Sequence, residues 1–281
     1  MRFALSVLSL LSAFLILSCN NSQTTSSENE KKDSTTKASH LQIENTTYSA
    51  DGKTMDAYIA YNDSLQGKRP AVLVIHEWWG LNDYAKSRAR QLADLGYVAM
   101  AADMYGNGDT ASDPQGAMKL AGPFYQNPQL TKSRVDAALA KLKTLPQVDT
   151  NNIAAIGYCY GGFVVLNAAK LGADLKGVVT FHGDLSGVTP DKKLLKAKIL
   201  VLHGEADTLV KPAVVNQFKH QMDSIGADYT FKSYPNAKHA FTNPNADAVD
   251  NKYHIGVGYN QEADKQSWEA MKEFLQKLFG K

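Results

Sequence analysis

The chain has 281 residues, of which 44% are hydrophobic and 21% charged, a globular composition that excludes a largely disordered protein. Thirty basic residues against 28 acidic ones leave a formal charge of +2, too balanced for a surface that tracks phosphates, which argues against nucleic acid as a partner. Two cysteines, Cys19 and Cys159, allow at most one disulfide.

The chain opens with one positive charge at Arg2, an apolar and small-residue stretch over 3–17, and then Ser18-Cys19. That layout predicts a secretory signal over 1–18. Ile16-Leu17-Ser18-Cys19 is similar to a bacterial lipobox, so Cys19 is expected to be lipidated and to become the mature N-terminus. A plain secretory signal and an uncleaved anchor are the competing readings, although the stretch is short for a membrane span. Lipidation would leave Cys159 as the only thiol of an exported protein, which draws attention to it before any motif does. Residues 20–40 carry no large apolar side chain and predict a flexible polar linker. The expected location is therefore outside the cytoplasm, with the domain held to a bacterial membrane through the N-terminal lipid.

From residue 41 to 281 the composition stays globular with no second linker, which predicts one domain. Residues 46–49 and 55–61, joined through Asp51-Gly52, read as a hairpin with a tight turn. Short apolar runs follow at 71–75, 98–102, 153–156, 177–181, 198–202 and 229–234, the mark of buried strands. Helical spacing separates several of them, at 83–95, 130–145, 160–171 and 212–225, and closes the chain at 262–279. Strands buried on both faces between helices predict a mostly parallel doubly wound sheet. With the antiparallel hairpin in front, the fold class is α/β, of the α/β-hydrolase type.

The strand at 153–156 runs into Gly157-Tyr158-Cys159-Tyr160-Gly161-Gly162, where a helical pattern begins. G-x-C-x-G at a strand-to-helix junction is a nucleophile elbow with sulfur in place of a hydroxyl. Glycine is needed two positions either side because the turn is sharp, and the turn sets the sulfur at the positive end of the next helix. A phosphate-cradling turn and a small core cysteine compete for the same residues, but the spacing is not G-x-G-x-x-G. A thiol nucleophile needs a base and a group to orient that base. The fold predicts the order nucleophile, acid, base, on loops after successive strands. Asp207, in the loop after 198–202, is the expected acid, with Glu205 as its rival. His239, after 229–234, is the expected base, with His254 as its competitor. His76 and His203 end strands and read as hydrogen-bonded supports. His182 lines a pocket or satisfies a loop. No histidine makes metal-ligand spacing, so neither a metal nor another cofactor is expected.

The Cys159 elbow, His76-Glu77 after the first long strand, the Asp207 loop and His239-Ala240-Phe241 together resemble the dienelactone hydrolase family of α/β-hydrolases. The likeness runs from about residue 45 to the C-terminus. It implies a Cys159, Asp207, His239 triad and an oxyanion hole made by the backbone N–H groups of Trp78 and Tyr160. It also implies that Glu77 contacts the thiol and controls its protonation. In the family, arginines after the strand ending near Asp103 and just after the base hold a substrate carboxylate. Residues 103–108 and 239–243 contain none here. The expected substrate is therefore a small neutral ester, lactone or thioester, hydrolysed by a monomer. Trp79, Tyr105, Phe124 and Tyr125, with Trp78, either wall an apolar pocket or belong to the core. A membrane-tethered binding module that has lost turnover is the alternative function.

Overall fold

Strand β1 (Leu41–Ala50) turns through Asp51 and Gly52, both at positive φ, and pairs antiparallel along its whole length with β2 (Lys53–Asn62). Two adjacent positive-φ residues make the tight turn whose twist suits a hairpin. The computed structural model describes residues 40–280. The expected signal segment 1–18, the lipidated Cys19 and, save for His40, the polar linker 20–40 lie outside the described residues.

Beyond the hairpin come β3 (Arg69–Ile75), α1 (Asp83–Asp94), β4 (Val98–Ala102), α2 (Pro114–Gln126), α3 (Pro128–Lys143) and β5 (Val148–Tyr158). After β5 follow α4 (Tyr160–Lys170), β6 (Gly177–Phe181), β7 (Lys198–Gly204), α5 (Pro212–Ser224), β8 (Tyr229–Tyr234), α6 (Ala246–Tyr253) and α7 (Gln261–Phe279). The strands form one sheet in the order β1-β2-β4-β3-β5-β6-β7-β8. Pairing is antiparallel from β1 to β4 and parallel from there on. This is the expected α/β-hydrolase architecture.

Side-chain alternation explains the two layers of helices. Ala71, Leu73 and Ile75 of β3 pack with residues of α2, α3, α4 and α5, whereas Val72 and Val74 pack with α1 and α7. Every residue of β3, β4 and β6 is buried, so strand side chains meet helices on both faces. Each large aliphatic side chain withdrawn from water in this way contributes roughly 1.5–3 kcal/mol.

Two helices escape a sequence reading. Gly116, Gly122 and Pro123 interrupt the pattern of α2, which forms because Pro114 is preset for a first turn and the Asp113 carboxylate accepts the Gly116 N–H at 2.8 Å. The eight residues of α6 are mostly polar and end where His254 takes up a left-handed conformation.

Strand order reverses direction between β3 and β5. The crevice at the carboxyl ends of strands flanking such a point is where open α/β sheets gather functional groups. Cys159, His182, Asp207 and His239 follow β5, β6, β7 and β8, and Glu77 follows β3, so all five stand at the same edge of the sheet.

Candidate active site

Cys159 sits between β5 and α4 with φ 53° and ψ −116°, a backbone conformation that L-residues rarely adopt. The surroundings hold it there. Its N–H bonds to Phe181 O at 3.0 Å, and its carbonyl accepts from Gly162 and Phe163 at 3.0 and 3.3 Å. A Cβ on Gly157 would lie 2.0 Å from Gly161 O, and one on Gly161 would lie 2.3 Å from Ile75 O. No side chain fits at either position, which is the physical content of the G-x-C-x-G pattern. Cys159 is half-buried with a free thiol, and it lines a cavity of about 620 Å³.

His239 follows β8 in a loop whose next residue, Ala240, has φ 58°. The loop is stitched to the segment before α7 by Gly258 N–H donating to His239 O at 3.0 Å. His239 Nδ1 and Asp207 Oδ2 are 2.8 Å apart and both groups are buried. The other Asp207 oxygen accepts the N–H groups of Leu209 and Val210 at 2.8 and 3.0 Å. Burial alone would raise the Asp207 pKa; the hydrogen bond and charge of His239 and the two amides outweigh it and hold the carboxyl below its ordinary value. For His239 burial disfavours the charged ring, but the Cys159 sulfur and Asp207 together push its pKa well above the usual histidine range. Its Nε2 is buried, meets no partner at ordinary hydrogen-bond geometry among the described residues, and belongs to a ring that interacts with the Cys159 sulfur across the cavity both residues line. The rival residues stand elsewhere: Glu205 is exposed, and so is His254 at the end of α6.

Glu77 is buried on the cavity wall, and Asn243 Nδ2 donates to its Oε2 at 2.6 Å. Desolvation is the largest influence on this carboxyl. It is opposed by Asn243, His239 and Arg88, and the pKa ends at about 7. No hydrogen bond joins Glu77 to Cys159 among the described residues. His76 is a support: Nδ1 bonds to Glu77 O while Nε2 accepts the Met104 N–H at 3.2 Å.

The remaining expected residues divide between wall and core. Trp78, Trp79 and Tyr125 line the cavity with Met118, Leu209 and Ile255. Tyr105 and Phe124 do not. Tyr105 is buried with its hydroxyl donating to Trp78 O at 2.9 Å, and both rings pack against Tyr160. The Tyr160 side chain is itself core, so only its backbone is available at the elbow. Neither the Trp78 nor the Tyr160 N–H donates to any acceptor among the described residues. Among the described residues the cavity lining carries two carboxylates, Glu77 and Asp184, and neither lysine nor arginine. Among the described residues no three His, Cys, Asp or Glu side chains are placed to hold a metal ion.

Sequence reasoning missed the groups that fix the His239 loop. Arg88, buried in α1, donates to Thr242 O at 2.7 Å and to Asp264 at 2.6 Å, while its guanidinium stacks near Tyr84 and Trp268. Thr242 Oγ1 lies 2.5 Å from Tyr84 OH and 2.7 Å from His182 Nε2. No motif marks these residues, whose partners are 60 to 176 positions away.

Known proteins resemble this chain in sequence and fold. The sequence pattern of the Dienelactone hydrolase family matches residues 55–279. The crystal structure of P91, a dienelactone hydrolase-like promiscuous phosphotriesterase from metagenomic libraries, superposes with a TM-score of 0.81 at 33% identity, covering 85% of this chain and 99% of that one. A Yersinia pestis protein provisionally named carboxymethylenebutenolidase is 27% identical over 82% of this chain and 86% of its own. An esterase from Thermogutta terrifontis, at 18% identity and a TM-score of 0.58 over 84% of this chain and 92% of that one, shares the fold. The match over residues 55–279 places this chain in the dienelactone hydrolase family, and the protein is a hydrolase of that kind.

Proposed function

We propose that the protein hydrolyses small neutral esters, lactones or thioesters through an acyl-enzyme on Cys159. The observation that carries the reading is the shared cavity: Cys159 on its strained elbow and His239 both line it, the sulfur acts on the His239 ring, and Asp207 is bonded behind that ring. His239 Nε2, its pKa raised by the sulfur and by Asp207, holds the proton given up by Cys159, and the sulfur attacks the carbonyl carbon as thiolate. The resulting oxyanion is received by the free N–H groups of Trp78 and Tyr160; one such donor typically stabilises a transition state by ~3 kcal/mol. As the C–O or C–S bond breaks, His239 returns the proton to the leaving group. Water then attacks the thioester, gives its proton to Nε2, and releases the acid and Cys159. Asp207 keeps the Nδ1 proton in place throughout and favours the imidazolium that forms.

The cavity's charge supports a neutral substrate. With Glu77 and Asp184 on its wall and neither lysine nor arginine among the described lining residues, a substrate carboxylate finds no free cation there, the His239 ring being already paired with Asp207. Residues 16–19 support a form exported and tethered by lipid at Cys19, with 20–40 as the stalk.

One mass measurement on protein purified from membranes tests both parts. Incubation with a slow aryl ester is expected to add the acyl mass at Cys159, and the N-terminal peptide to begin at an acylated Cys19. Cys159→Ala is expected to lower turnover by ~10³-fold or more, and a neutral ester to outrun its carboxylate-bearing analogue. Parental turnover by Cys159→Ala would refute the covalent mechanism; no turnover by either protein would favour the binding module. An unmodified N-terminus upstream of Cys19 would refute the tether.

A further inference from the structure

His182, which follows β6, does not line the cavity and is assigned no chemical step, yet it is fully buried at a strained φ of 41° with its ring edge-on to the His239 ring, centroids 5.3 Å apart. Its Nδ1 accepts the Cys159 N–H at 3.1 Å, a proton shared with Phe181 O. Since Nδ1 is an acceptor, the ring's single proton sits on Nε2 and is donated across 2.7 Å to Thr242 Oγ1. The ring is kept neutral by burial and by the nearby charges of His239 and Arg88. Thr242 stands three residues after His239, and its carbonyl is held by Arg88. One rigid ring therefore runs from the backbone of the nucleophile to the loop of the base. Cys159, His182 and Ala240 are all non-glycine residues at positive φ, and such strain persists only where surrounding contacts over-determine the backbone.

We propose that His182 is a positioning residue: it ties the Cys159 amide to Thr242 and so sets the separation between the sulfur and the His239 ring. The proposal rests on the reading of Cys159 and His239 as nucleophile and base. The hydrogen bond at each end, beyond the ring's packing against His239 and Phe241, defines the role, so a side chain of similar size without polar atoms keeps the packing but cannot replace the tie. Misplacing reacting groups by a fraction of an ångström to an ångström slows the chemical step without weakening substrate capture. The effect therefore falls on kcat.

The test compares His182→Leu, His182→Asn, Thr242→Val and Thr242→Ser with the parent, with Cys159→Ala as the control that probes the underlying reading. A neutral aryl ester gives kcat and KM, and iodoacetamide gives the alkylation rate of residue 159. His182→Leu and Thr242→Val are expected to lower kcat roughly 10- to 100-fold, with KM changed by less than about threefold. Alkylation of Cys159 should slow in parallel. Thr242→Ser, which keeps the hydroxyl, should regain most of the rate, and His182→Asn, which keeps an acceptor for the Cys159 N–H only, should fall between. Should His182→Leu not fold, the two Thr242 variants decide. Folded Thr242→Val and His182→Leu proteins with kcat within twofold of the parent overturn the proposal. So does a loss that tracks melting temperature across all four variants, Thr242→Ser included, because that marks a merely structural role. If Cys159→Ala keeps parental turnover, it is the nucleophile assignment that has failed instead.

Discussion

The two sides of the site are built in different ways. The elbow that presents Cys159 is shaped by main chain meeting main chain: Gly157 against Gly161, and Gly161 against the carbonyls of Ile75 and His76. The loop that presents His239 is shaped by side chains reaching in from afar. Arg88 of α1 holds Thr242, Tyr84 and His182 meet the Thr242 hydroxyl, and Glu77 after β3 binds Asn243. A contact between backbones cannot relax by rotating a side chain, so the elbow tolerates no extra atom. Hydrogen bonds from long side chains are replaceable one at a time, so the base loop should loosen by degrees.

Substitution of one residue on each side separates these behaviours. Gly161→Ala puts a methyl group 2.3 Å from Ile75 O and 2.6 Å from His76 O, and neither carbonyl can move without disturbing β3. The expected loss is about 3 kcal/mol or more, the upper range for overpacking, read as loss of cooperative unfolding or of soluble protein. Arg88→Met keeps the volume but leaves the half-sheltered Asp264 carboxylate without its cation and frees Thr242 O. Breaking such a pair costs about 3 kcal/mol or somewhat less here, given the partial exposure of Asp264. Denaturant unfolding should show a protein that still folds, with kcat reduced more than KM. Equal tolerance of the two changes would remove the distinction between the sides.

The same distinction decides what could be seen in the sequence. The elbow is legible because its steric demands fall on neighbours in the chain, and the glycines write them at fixed spacing around Cys159. Asp207 and His239 are legible from strand ends and chain order, and the structure brings them within hydrogen-bond distance. Arg88, His182 and Thr242 carry no such signal, since each acts through a partner that only the folded sheet brings near. Phe124 and Tyr125 show a subtler gap. They are consecutive in α2 and therefore point in different directions, one into the core and one to the cavity. Without recognising a helix interrupted by Gly116, Gly122 and Pro123, its phase is unavailable, and the two aromatics look equivalent.

Glu77 joins the two sides, because it follows β3 beneath the elbow yet is bonded to the base loop through Asn243. Burial raises its pKa from 4.5 to about 7. A carboxyl whose pKa is higher folded than unfolded favours the folded state fully below the unfolded value, and that contribution is lost as pH rises through the folded value. With these two pKa values the parent should lose roughly 2.5 kcal/mol relative to Glu77→Gln between pH 5 and pH 8, at about 1.4 kcal/mol per pH unit between the two values. Gln is isosteric and keeps an oxygen to accept from Asn243 Nδ2, so the base loop should stay in place and only the titration should vanish. Urea unfolding of both proteins at pH 5, 6, 7 and 8 measures the difference directly. A difference that stays constant across that range would mean that Glu77 ionises at its ordinary pH. The bond to Asn243 and the charge of His239 would then outweigh burial, and the base loop would be held by an ordinary carboxylate rather than by one poised near neutrality.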